Sequence, residues 1–267
     1  MRMLALEASG TGIGLAALEG LDGSAAVPVS VLGLEESRVL SQQLMNGFAA
    51  TLARAGWRMD MVDALGVGIG PGSWTSLRIS LSTAKTLAQV RGWKLVGIPT
   101  FDALAAAIWR AAQTAAAEEG RDTQGQKLPG RFLLAVAGRC RPGEVYGKIF
   151  ECAPDYIAVV QAEWVTSPQG LTDAVSAEAL ARGIDSPMVL TGDGSATVSK
   201  LLEEQSVYHL AVDVPIEALT VEIGRAAELR LVDGQEVSPL ELQPLYIVPS
   251  AAERNYLEQK NAQSNGE

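Results

Sequence analysis

The sequence predicts an α/β fold built from two related halves. Two observations carry that expectation: each half opens with short apolar strands and then alternates helices with strands, and a polar stretch without apolar periodicity, residues 119–130, divides them. With 267 residues, 48% of them apolar, the chain can bury a substantial core. The expected organisation is an N-terminal half at 1–118, a linker at 119–130, a C-terminal half at 131–257 and a polar, disordered tail at 258–267.

The first half begins with Leu4 to Ser9, a Gly-rich connection from Gly10 to Gly14, and Leu15 to Leu18, which read as a hairpin, and Val27 to Leu32 extends it to a meander. From Glu36 to Ala55 the period changes. Leu40, Leu44, Phe48 and Leu52 recur every four residues, the mark of one helix face, and Gly56 is a fitting stop. Ala64 to Ile69 is a short buried strand, Gly70-Pro71-Gly72-Ser73 a forced turn, and Trp74 to Val90 a second helix. Leu95 to Ile98 returns to strand, and Phe101 to Ala117 to helix. The second half restarts with strands at Phe132 to Ala137, Glu144 to Phe150 and Ile157 to Val160. It continues with a helix at Pro168 to Arg182, a strand at Pro187 to Leu190 and a helix at Thr220 to Val232.

Composition excludes several functions. There is no run of about 18 apolar residues to cross a bilayer and no small-residue cleavage site after the start, so a cytoplasmic protein is expected. Only Cys140 and Cys152 are present, without metal-ligand spacing, which suggests reduced thiols. A net charge of −10 opposes unaided binding to a phosphate backbone. The single histidine, His209, rules out a multi-histidine metal site and lies near no nucleophile motif. No catalytic residue and no metal ligand is assigned.

The most specific run is Ala64-Leu65-Gly66-Val67-Gly68-Ile69-Gly70-Pro71-Gly72-Ser73-Trp74-Thr75-Ser76-Leu77-Arg78-Ile79-Ser80. A strand ends in glycines that tolerate unusual dihedrals, Pro71 fixes one angle, and Ser73 can cap the helix starting at Trp74. Such a helix start can hold an anion, or it can be a tight turn without a ligand.

This run resembles the G-P-G-S-F-T-G-L-R-I-G signature of the TsaB (YeaZ) family, with Trp74 for Phe and Ser76 and Ser80 for glycines. Ser41-Gln42-Gln43-Leu44-Met45 is similar to the family's H-S-x-x-L-L-P helix start, with Leu40 at the histidine and Asn46 at the proline. Arg141-Pro142-Gly143-Glu144-Val145-Tyr146 is similar to D-A-R-x-G-E-V-Y, with Arg139 where Asp is usual. Gly192-Asp193-Gly194 and Pro244-Leu245-Tyr246 follow in the family order. The resemblance implies the actin, Hsp70 and sugar-kinase (ASKHA) fold. Active members of that group handle nucleotide phosphates through magnesium and an Asp in the first hairpin; here the matching residue is Glu7, followed by Ala8. A longer carboxylate fits octahedral magnesium poorly, so loss of the ATP function is expected, with Glu7 satisfied by neighbouring amides.

The resemblance further implies a non-catalytic subunit of the machinery that makes N6-threonylcarbamoyladenosine at position 37 of certain tRNAs. Its partners would be a TsaD-like catalytic subunit, whose H-x-x-x-H metal motif this chain lacks, and a TsaE-like ATPase. It would meet tRNA only within the complex and could pair with itself when alone. No cofactor is expected on this subunit, ATP and magnesium being used by the complex. The family's four-helix contact implies partner-facing residues Leu40, Ser41, Leu44, Phe48, Leu52, Trp74, Leu77, Leu81 and Ala84, although the same stripes could face their own sheet. Ser76, Ser80, Ala84 and Ala88 form a line of small residues suited to close helix approach. The motif residues carried over are Gly70, Pro71, Gly72, Ser73 and Arg78 in the turn, and Gly143, Glu144 and Tyr146 at the second-half strand. Two rival readings are a small-molecule kinase of the same fold and a peptidase-like protein.

Overall fold

The computed structural model describes residues 1–10, 12–21, 24–35, 40–117 and 128–248. The first half holds β1 (Arg2–Glu7), β2 (Gly12–Leu21), β3 (Ser24–Glu35), α1 (Leu40–Ala55), β4 (Ala64–Gly68), α2 (Trp74–Arg91), β5 (Lys94–Ile98) and α3 (Thr100–Ala117). The second holds β6 (Phe132–Arg139), β7 (Val145–Cys152), β8 (Ile157–Thr166), α4 (Pro168–Arg182), β9 (Met188–Thr191), α5 (Ser195–Glu204), β10 (His209–Ala211) and α6 (Ile216–Val232).

The duplication is visible in the sheets. One runs β3-β2-β1-β4-β5 and the other β8-β7-β6-β9-β10, each an antiparallel meander continued by two parallel strands. This repeated order is the duplicated α/β arrangement expected above. Residue alternation along the strands sorts the core into three. On the inner faces, Met3, Ala5, Ala16 and Leu18 of one sheet and Phe132, Leu134 and Val136 of the other pack with α3 and α6. The outer face of the first sheet, with Leu4, Leu6, Leu65 and Val67, packs under α1 and α2. On the second, Leu133, Ala135 and Leu190 pack under α4 and α5.

Two departures from the sequence reading concern the borders. Helix α6 belongs to the second half by sequence but lies on the first sheet, touching every one of its strands, so packing does not follow the sequence boundary. Within the expected linker, Leu128 is buried in the inner core rather than exposed, because that core reaches the start of β6. Residues 118–127 of the linker, residues 36–39 ahead of α1, and the tail at 258–267 lie outside the described residues.

Segment ends follow local chemistry. Ser73 caps α2, which ends at Gly92 in the left-handed region. The side chain of Ser167 caps α4, Pro168 opens it and Gly183 closes it. The halves are also tied by Lys148 of β7, 4% exposed, whose Nζ donates to Asp102 of α3 and to Glu163 of β8 at 2.8 Å. Beyond α6 the chain returns over the first half: Val237 donates its N–H to the Leu95 carbonyl, Leu242 enters the core under α2, and Leu245 donates to the Ile69 carbonyl. Among the described residues no helix is long and apolar enough to cross a membrane.

Candidate functional site

The motif turn sits where β1, β4 and β5 end. Its backbone is pinned from both sides: Ser73 donates its N–H to the Ser9 carbonyl at 2.7 Å, and Thr100 donates to the Gly70 carbonyl at 2.8 Å. Gly70 has φ +94° and precedes a cis peptide to Pro71. Gly72 is required by proximity, since a Cβ there would lie 2.2 Å from the Ser9 carbonyl oxygen. Ser73 Oγ accepts from the Ser76 N–H at 3.4 Å and from the Ser76 hydroxyl at 3.0 Å, so the serine that replaces a family glycine joins the cap.

Beside the turn, Trp74 stacks on Tyr246 with ring centroids 4.2 Å apart, and the Arg78 guanidinium lies 4.5 Å over the Trp74 ring. Arg78 Nε also reaches the Tyr246 hydroxyl at 3.4 Å. Tyr246 was legible as a motif residue, but nothing in its spacing announces Trp74 as its neighbour.

Glu7 is wholly buried. Its Oε1 accepts the Ser9 N–H at 2.6 Å, and its Oε2 accepts the Thr100 hydroxyl at 3.0 Å, which in turn accepts from the Ser9 hydroxyl at 3.0 Å. Burial pushes its carboxyl above the ordinary range, against the opposing pull of these hydrogen bonds. One oxygen meets a neighbouring amide, as read from the sequence, and the other meets the Thr100 hydroxyl, which the sequence reading did not include.

In the second half, Gly143 turns the β6–β7 connection at φ +81°, and Glu144 Oε2 accepts from Arg141 Nε at 2.7 Å. Tyr146 is half-buried and pairs in register with Gly138. Arg139 stands where the family has Asp, and it turns to the Gly192–Gly194 loop: its N–H donates to Asp193 Oδ1 at 2.8 Å and its Nε to the Asp193 carbonyl at 3.2 Å. His209 Nδ1 faces the Val207 carbonyl at 3.2 Å, while Nε2 pairs with the Ser199 hydroxyl. No carboxylate among the described residues is hydrogen-bonded to that ring.

The helix stripes require a correction. Leu44, Phe48 and Leu52 of α1 and Leu77, Leu81 and Ala84 of α2 are buried within the chain itself. Both helices lie on the first sheet, so their apolar faces turn inward and these six side chains are core, not partner contacts. Ser80 and Ala88 of the small-residue line are buried too. The side chains of Leu40 and Ser41 lie outside the described ones, and Trp74 is half-buried against Tyr246. What faces out is a second set: Met45, Asn46, Ala49 and Ala53 on α1, and Thr75, Arg78, Ser82 and Thr86 on α2.

Between the halves lies a cavity of about 620 Å³, lined by Ser9, Pro71, Thr100, the Thr191–Asp193 turn, Asp213 and the start of α6. Its acidic residues Asp213 and Glu217 were not singled out by sequence. They stand in no recognisable motif, and only folding brings α6 against the end of β1.

The chain matches the family described as "TsaD: tRNA N6-adenosine threonylcarbamoyltransferase" over residues 34–256. No curated protein matches it. Among solved structures it is similar to an uncharacterized protein with similarity to peptidase YEAZ from Pseudomonas aeruginosa, at 22% identity and a TM-score of 0.66, covering 92% of this chain and 99% of that one. YeaZ from Pseudomonas aeruginosa is 20% identical with a TM-score of 0.65, at the same coverages of 92% and 99%. At such identity these likenesses establish the fold. The family match spans most of the sequence, and the chain belongs to the tRNA N6-adenosine threonylcarbamoyltransferase (TsaD) family, with the fold of YeaZ.

Proposed function

We propose that this chain is a non-catalytic subunit of the tRNA N6-threonylcarbamoyladenosine pathway that binds and activates a TsaD-like catalytic partner in the cytoplasm. Family membership supports a role in that pathway. The observation that supports the non-catalytic role is Glu7: the position where active ASKHA members handle magnesium and phosphate carries a carboxylate that is wholly buried and bonded to Ser9 and Thr100. A TsaE-like ATPase and the complex's own ATP and magnesium complete the scheme. Transfer RNA is met within the complex, and the free protein can pair with itself through the same helices.

The binding surface on this reading is the outward face of α1 and α2, with Met45, Ala49 and Ala53 one above another on α1 and Ser82 on α2. Small and flexible side chains of this kind let a partner helix approach closely. Co-purification and reconstitution test it. With a TsaD-like protein present, tRNA modification should depend on this chain. Met45→Asp and Ala49→Glu should lose co-elution at an unchanged melting temperature, because both positions are exposed. Leu81→Asp should instead collapse the melt by placing a carboxylate in the core. Modification of tRNA by the isolated chain, or co-elution indifferent to both exposed substitutions, would overturn the proposal.

A further inference from the structure

The proposed contact through α1 and α2 does not use the cavity between the halves, and the chemistry of that cavity points to an unexpected class of ligand. Phe101, Leu104 and Leu219 contribute apolar wall, and Asp193, Asp213 and Glu217 contribute carboxylates. No lysine or arginine lines it among the described residues. Two helices, α5 and α6, begin beside it, and their positive ends would favour an anion. The chain fills that role itself, with Asp193 just before α5 and Glu217 in the first turn of α6. Asp193 is engaged by the Arg139 N–H, whereas Asp213 and Glu217 have no hydrogen bond or ion pair among the described residues.

A second, independent feature is Thr191. It lines the same cavity and is wholly buried, yet its Oγ1 has no hydrogen-bond partner among the described residues. A buried hydroxyl without a partner is costly unless something supplies one. A metal ion does not suit the walls, since no group of three His, Cys, Asp or Glu side chains is placed to hold one among the described residues. A cleft of one charge sign between low-dielectric walls selects the opposite sign. We propose that the cleft takes a small organic ammonium compound with an apolar body, its cationic group held by Asp213 and Glu217 and its body against Phe101, Leu104 and Leu219.

Isothermal titration of the intact protein tests this with four probes: phenethylamine, the neutral 2-phenylethanol, the anionic phenylacetate, and magnesium-ATP. Phenethylamine should bind about tenfold or more tighter than the alcohol, the gain of one charge-assisted contact, while phenylacetate and magnesium-ATP give no heat. Asp213→Asn with Glu217→Gln should bring the amine to the level of the alcohol. Asp213 lacks a hydrogen-bond or ion-pair partner among the described residues, so Asp213→Asn should leave the melting temperature in place, while losing the Glu217 charge at the start of α6 should lower it by no more than a few degrees; Asp213→Asn alone serves if the double variant does not fold. Because the chain carries a net charge of −10, an amine could also gather on its general surface. Amine binding that survives the substitutions overturns the proposal. So does tighter binding of magnesium-ATP, or no amine binding at millimolar concentration.

Discussion

At the scale of single residues, Glu7 shows burial outweighing the hydrogen bonds that its carboxylate accepts. Its carboxyl is raised above the ordinary range, so the protonated form favours folding: that contribution is complete below the unfolded carboxylate range and is lost as pH rises through the raised value. Glu7→Gln keeps an acceptor for the Ser9 N–H and carries no charge to desolvate. The variant should melt a few degrees above the parent at about pH 8, with the difference vanishing toward about pH 4. Parallel melting curves across that range would refute the account. Cys152 makes a second case, its thiol pushed up to about 12, chiefly by burial. Ellman's reagent should titrate Cys140, which is partly exposed, in the native protein and reach Cys152 only in denaturant. Sequence marked Glu7 as the position to watch. It could not supply Thr100, which lies 93 residues away and meets Glu7 only because β1 and the start of α3 converge.

At the scale of elements, periodicity announced the helices and left open what covers them. The four-residue stripe of α1 is as regular on a sheet as it would be on a partner; only the sheet's own Leu4, Leu15 and Leu65 decide in favour of the core. Helix α4 was legible to both ends because Ser167 and Gly183 mark them. Helix α5 was not foreseen: it spans 10 residues and follows Gly194, which offers no capping side chain. The three-residue β10 is too short to show alternation. The motif turn permits a direct test of close approach. Gly72→Ala would drive a methyl into the Ser9 backbone and should cost about 2–3 kcal/mol in urea unfolding. Gly10→Ala meets nothing within 4 Å and should stay within about 0.5 kcal/mol. Equal effects at the two positions would contradict the geometry.

At the scale of the whole molecule, the duplicated order of strands was readable, and the exchange of α6 onto the first sheet was not, since a helix's sequence names its apolar face and not the sheet it will meet. Lys148 joins α3 to the second sheet, and Lys148→Met should destabilise by about 1–3 kcal/mol, less than a fully buried pair because Asp102 is partly exposed. Adding Asp102→Asn should recover part of that loss; no recovery in denaturant titrations would mean that the ion pair does not tie the halves. The return of α6 and residues 237–246 over the first half has a consequence for biosynthesis. A ribosome finishes β1 to α3 early, yet the helix that covers Met3, Ala5 and Leu18, and the Leu242 side chain that completes the core under α2, are translated last. The first half to be made is therefore the last to close. A nascent chain stalled near Ala117 would leave the inner face of that sheet without the cover that α6 supplies.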